Sequence, residues 1–101
     1  MKIGLDAIAF DVAKIHLPIK TLATARNIEA DKLEKGLGLL QMTLPDWHQD
    51  VVVFGANALT KLILENDIDL REIARIYVGT ESSIYHSKPI ASFLLALMEQ
   101  K

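Results

Sequence analysis

The sequence contains no cysteine. Within these 101 residues there can be no disulfide framework, thiolate zinc site, iron–sulfur cluster or cysteine nucleophile. Charge of one sign is not in excess either: 11 Lys and Arg stand against 13 Asp and Glu, a net charge of -2. That balance supplies no global basic field, so neither nucleic acid nor an anionic membrane is expected as a partner. Long hydrophobic runs are also missing. The uncharged run Val51 to Thr60 is far shorter than the ~20 residues that span a bilayer. Asp6 falls where a secretory signal would continue its apolar segment, and no cleavage pattern follows. A cytoplasmic protein is expected. His16, His48 and His86 are scattered, with no HxxxH or HExxH spacing, so no metal site is expected. Gly36-Leu37-Gly38-Leu39 lacks both a Walker lysine and the third glycine of a dinucleotide fingerprint, which leaves helix capping as its reading and no cofactor expected.

What is present is half hydrophobic. A chain of this size buries about 60–68% of its unfolded surface, enough for a substantial core. Lys2 to Phe10 reads as a first strand covered on both sides, because Ile3, Leu5, Ala7 and Ala9 share one face and Ile8 and Phe10 the other. Asp11 to Leu17 is expected to be an irregular connection. Pro18 suits the first turn of a short helix through about Arg26, and a second helix is expected over Ala30 to Lys35, stopped by Gly36. A short strand follows at Leu39 to Thr43. Asp46 with Gln49 three residues on has the form of a capping box opening a long helix through about Glu65. Asp69 caps a single turn around Glu72, Ile73 to Thr80 reads as a buried strand, and Ser87 starts a last helix with Ile90, Phe93, Leu94, Leu97 and Met98 on one face. The order of strands and helices is an α/β pattern.

The most suggestive chemistry lies in Gly79-Thr80-Glu81-Ser82-Ser83. A buried strand that delivers a carboxylate at its C-terminal edge places it where α/β sheets hold ligands. Half-burial there would disfavour the charged form and suit Glu81 to general acid/base work. Ser82 and Ser83 have neither a Gly-x-Ser-x-Gly turn nor a nearby base that would mark a nucleophile. Trp47 beside His48 reads as a packing pair at a helix start.

Residues Ile3 to Phe10, Leu22-Ala23-Thr24-Ala25-Arg26, Lys32, Gly36-Leu37-Gly38, Gln49-Asp50, Gly55-Ala56-Asn57-Ala58 and Thr80-Glu81-Ser82 fall in an order and spacing that resembles the amino-terminal part of bacterial 3-hydroxy-3-methylglutaryl-CoA synthases, of the thiolase superfamily. The resemblance runs along essentially the whole chain, residues 1–101, as an incomplete thiolase-like half. It implies a layered α-β-α-β-α fold and a homodimer. It also implies an acyltransferase that condenses acetyl-CoA with acetoacetyl-CoA in the mevalonate route to isoprenoids. In such synthases a cysteine carries the acetyl group as a thioester, a glutamate takes a proton from its methyl, and a histidine polarises the acetoacetyl group. Thr-Glu-Ser carries the glutamate, so the resemblance gives Glu81 the general acid/base role. It places Glu29 and Ala30 at the CoA substrate, with Lys32 as a further phosphate contact. His86 does not match the family's histidine, and Ile84-Tyr85-His86-Ser87-Lys88-Pro89 departs from the family pattern. Without the thiol, a thioester cycle cannot run on these residues alone, so the chain is expected to be an inactive amino-terminal fragment of the synthase. Two other readings stand beside this one: a truncated non-catalytic homologue acting as an interaction or oligomerisation module, and a related ketoacyl or β-branching synthase that takes carrier-protein thioesters.

Overall fold

A computed structural model describes residues 1–100. They form two compact units, one of Val12–His48 and one of Met1–Asp11 with residues 49–100.

In the first unit, β1 (Ile15–Pro18) pairs antiparallel with β2 (Gln41–Leu44) in the register Ile15↔Leu44, His16↔Thr43, Leu17↔Met42 and Pro18↔Gln41. The expected irregular connection therefore contains a strand, and the second strand lies slightly later than Leu39 to Thr43. Of the β1 residues only Leu17 is half-buried, between exposed His16 and Pro18. The ladder passes directly into α1 (Ile19–Arg26), whose first N–H donates to the Leu40 carbonyl at 3.0 Å. Pro18 stands just before α1, where its missing N–H costs the helix nothing. Asn27, left-handed at φ 52°, ends α1, and the next N–H, of Ile28, donates to the Ala23 carbonyl at 3.0 Å. This is the closure that αL caps give a helix. Next, α2 (Ala30–Leu37) runs through Gly36 and is stopped by Gly38 at φ 68°. Glycine is needed only at that second position, because there a Cβ would meet the following carbonyl. Ala13, Ile19 and Ala23 are the buried residues of this unit.

In the second unit, α3 (Val51–Asn66) is capped by Asp50, whose Oδ1 accepts the Val53 N–H at 2.9 Å. Asp46 instead accepts the N–H of its neighbour Trp47 at 2.7 Å. The helix thus starts one turn later than the capping box at Asp46 implied, since the side-chain acceptor must reach the N–H two or three residues ahead. Asp67, at φ 50°, closes α3. A single 3-10 turn, Leu70–Glu72, is capped by Asp69 as the sequence suggested, its Oδ1 accepting the Arg71 N–H at 2.9 Å. The last helix, α4 (Ile90–Glu99), begins after Pro89 rather than at Ser87. It buries Ile90 and Leu94, and Leu94 lies against Gly55 of α3. The amino-terminal segment is held on α3 by Asn57, which donates Nδ2–H to Asp11 Oδ2 at 2.9 Å, and by Lys61, whose Nζ sits 5.4 Å from the Phe10 ring centre.

Two expected strands are absent. Among the described residues β1 and β2 form the only sheet, and neither Lys2–Phe10 nor Ile73–Thr80 joins a ladder. A strand exists only where a neighbour accepts and donates across it, and these segments have none. Their apolar side chains consequently stand in solvent: Leu5 is 82% and Tyr77 82% exposed. A folded monomer of 11.2 kDa leaves about 5,700 Å² exposed by the usual size scaling, whereas this chain leaves 8502 Å². The substantial core expected from composition is not closed by these residues. No helix among the described residues is long and apolar enough to cross a membrane.

Candidate active site

Glu81 sits at a bend between the segment ending at Thr80 and the approach to α4. The chain there is organised by hydroxyl groups. Thr80 Oγ1 accepts the Ser82 N–H at 3.0 Å, a bond that spans Glu81. On the far side Ser83 Oγ donates to the Tyr85 carbonyl at 3.2 Å and accepts the Tyr85 N–H at 3.4 Å. Threonine and serine form such turns because their short hydroxyl reaches the backbone two residues on. Lys88 Nζ lies 4.3 Å from the centre of the Phe93 ring, tying the end of this loop to the first turns of α4.

The half-burial expected of Glu81 is not found. Its side chain is exposed, because the strand that was to carry it has no neighbours to build a crevice around its end. Glu29 and Ala30 share the start of α2 in the other unit. Glu29 has extended backbone there and makes no side-chain cap; its carboxylate instead lies 3.5 Å from Lys32 Nζ, both side chains 75% exposed. Ala30 is half-buried. Lys35 and Asp31 pair at 2.5 Å one turn along. The α2 surface thus presents neighbouring i,i+3 and i,i+4 ion pairs, each worth little in water. Lys32, read as a phosphate contact, is exposed and already opposite a carboxylate.

His16 is exposed on β1, and His86 is exposed in the turn before α4. His48 Nδ1 is 4.0 Å from Asp46 Oδ2, and its ring meets Trp47 edge-on at 5.4 Å; Trp47 is 93% exposed and the pair stands ahead of α3, so the helix-start packing expected of these neighbours is not found. No three His, Asp or Glu side chains among the described residues gather as metal ligands would. Two cavities lie elsewhere. One of about 400 Å³ lies between residues 70–76 and α4, and one of about 360 Å³ is lined by α3 and residues 94–100, with Glu81 in neither. Sequence reasoning passed over the Asp11–Asn57 bond and the Thr80 turn. Thr80 carried a signal, a hydroxyl two residues before a backbone N–H; the Asp11–Asn57 pair, 46 residues apart, carried none.

A family model described as the amino-terminal part of hydroxymethylglutaryl-coenzyme A synthase matches residues 1–101. The chain belongs to the hydroxymethylglutaryl-CoA synthase family. It is 35% identical to the hydroxymethylglutaryl-CoA synthase of Haloferax volcanii over 97% of its own length and 22% of that relative's. It is 40% identical to the Enterococcus faecalis synthase over 97% of its length and 25% of the relative's. Among solved structures it resembles MvaS in complex with 3-hydroxy-3-methylglutaryl coenzyme A, with a TM-score of 0.81 and 38% identity, across 95% of this chain and 23% of that one. It also resembles an HMG-CoA synthase complexed with CoA, with a TM-score of 0.73 and 29% identity, across 100% of this chain and 26% of that one. The α/β, thiolase-like fold expected of the sequence is therefore the fold of this family. The chain spans about a quarter of the length of these synthases.

Proposed function

We propose that these residues act as the amino-terminal portion of a hydroxymethylglutaryl-CoA synthase that joins acetyl-CoA to acetoacetyl-CoA, with Glu81 as its general base. The match of the family model along the whole chain carries this reading, and the 0.81 TM-score to MvaS in complex with 3-hydroxy-3-methylglutaryl coenzyme A supports the choice of CoA thioesters as substrates. Residues outside this chain supply the thiol that holds the acetyl group and the histidine that polarises the ketone. A homodimer and a cytoplasmic location belong to the same reading.

The chemistry asks for a carboxylate. The methyl next to a thioester is a weak carbon acid, so its proton leaves only toward a base already held beside it, while the carbonyl oxygen takes up the charge. The Glu81 carboxylate removes that proton, and the carbon uses the freed electron pair to bond to the ketone carbon of the acetoacetyl group. The ketone oxygen keeps the displaced pair and takes a proton. Glu81 must be enclosed for this, and the exposed apolar residues of Lys2–Phe10 and of Ile73–Thr80, the segment that leads into it, offer surface on which further layers of a synthase pack. Glu29, Ala30 and Lys32 contribute to the CoA wall from the start of α2, where Lys32 exchanges Glu29 for a phosphate oxygen.

Replacing Glu81 by alanine in the full-length protein that carries this chain tests the assignment. Acetylation from acetyl-CoA should continue, while condensation with acetoacetyl-CoA falls by about 10²–10⁴-fold, the usual contribution of a positioned base. Condensation near the wild-type rate overturns the role of Glu81. Turnover with carrier-protein thioesters and none with acetoacetyl-CoA overturns the choice of substrate.

A further inference from the structure

We infer that Thr80 is a positioning residue for the carbon–carbon bond-forming step, acting through the backbone turn that carries Glu81. The inference rests on the reading of Glu81 as the base. The Thr80 hydroxyl accepts the Ser82 N–H at 3.0 Å, so the bond closes over Glu81 and removes the rotational freedom of the peptide on each side of it. Among the described residues the chain around Glu81 has no other such restraint from regular structure, because residues 73–80 make no ladder and α4 starts only at Ile90. The loop beyond is held separately, by Ser83 bonded to Tyr85 and by Lys88 over Phe93. Thr80 is thus the side chain that fixes the direction in which the Glu81 Cα–Cβ bond leaves the backbone. A base displaced by a fraction of an ångström loses rate because proton transfer needs hydrogen-bond distance to the carbon acid. Acetylation of the thiol does not use Glu81 and should not sense the turn.

The test is Thr80→Val in the full-length protein, which keeps the shape of the side chain and removes the acceptor. Thr80→Ser, which keeps the acceptor, and Glu81→Ala are run in parallel. Thr80→Val should lower kcat for condensation by about two- to tenfold, the span of one neutral hydrogen bond. KM for acetoacetyl-CoA and the rate of acetylation should be unchanged, and Thr80→Ser should restore kcat. The inference is overturned if Thr80→Val condenses at the wild-type rate, if acetylation falls in parallel as a general loss of structure would cause, or if Thr80→Ser is as slow as Thr80→Val. If Glu81→Ala itself still condenses, the reading of Glu81 fails and the inference falls with it. If Glu81→Ala is inactive and Thr80→Val is unaffected, only the positioning role is lost.

Discussion

The contact between α3 and α4 is made where one helix has no side chain. A Cβ built on Gly55 would lie 3.3 Å from Leu94 Cδ1 and 3.5 Å from Cδ2. Carbon atoms are at ease at about 3.5–4.0 Å, so Gly55→Ala forces Leu94, a buried residue, to give by a few tenths of an ångström. Alanine in a helix interior is worth about 1 kcal/mol over glycine. In the wild-type background the close contact should offset most of that gain and leave a net change within about 0.5 kcal/mol of zero. Leu94→Ala alone should cost about 2–3 kcal/mol, the lower part of the range for buried leucines, because a cavity already adjoins the site. Once Leu94 is truncated, the methyl of Gly55→Ala meets space rather than a side chain. There the same substitution should stabilise by about 1–1.5 kcal/mol, through propensity and partial filling of the gap. The double-mutant cycle therefore predicts a coupling of about 1 kcal/mol. Urea denaturation followed by far-ultraviolet circular dichroism, with sulfate added to keep the truncated variants folded, measures all four corners. Equal effects of Gly55→Ala in both backgrounds would refute the packing of α3 on α4 through this pair.

The two glycines of α2 should respond in opposite directions. Gly36 is inside the helix with nothing within 4 Å of a built Cβ, so Gly36→Ala should raise stability by about 1 kcal/mol. Gly38 holds φ 68°, so Gly38→Ala should cost about 1–2 kcal/mol; thermal melts of both compare them. Asp69 is held below its ordinary value of 3.8, first by the side-chain bonds from Arg71 and then by the Arg71 backbone N–H. A carboxyl lowered in the folded state stabilises it above its unfolded pKa, and that contribution is lost as pH falls from about 3.8 through the lower folded value. A carboxyl titration by NMR should place the Asp69 midpoint below 3.8, and Arg71→Gln should move it upward; an unmoved midpoint refutes the cause assigned.

How far the sequence could be read depended on the range of the interaction. The turn capped by Asp69, the short helix after Pro18 and the last apolar helix were legible because their signals lie within a few residues of what they act on. Asp46 misled because two aspartates, Asp46 and Asp50, stand near the start of α3, and only the conformation of the chain between them decides which reaches a helical N–H. Thr80-Glu81-Ser82 was legible as a motif, through its resemblance to the synthases. The exposure of Glu81 was not, since it depends on whether Ile73–Thr80 finds neighbours.

By itself the sequence determined the family, the absence of a thiol from these residues, and the ends of α1 at Arg26 and of α3 near Glu65, whereas it ended α2 early, at Gly36, and started α3 and α4 about a turn early. Only the tertiary structure decided which extended segments are strands. Ile15–Pro18 became one because Gln41–Leu44 comes back beside it, while the more hydrophobic Lys2–Phe10 and Ile73–Thr80 did not. A helix closes its hydrogen bonds on its own chain four residues away, whereas a strand takes them from a distant partner, so its existence is a property of the fold and not of the segment.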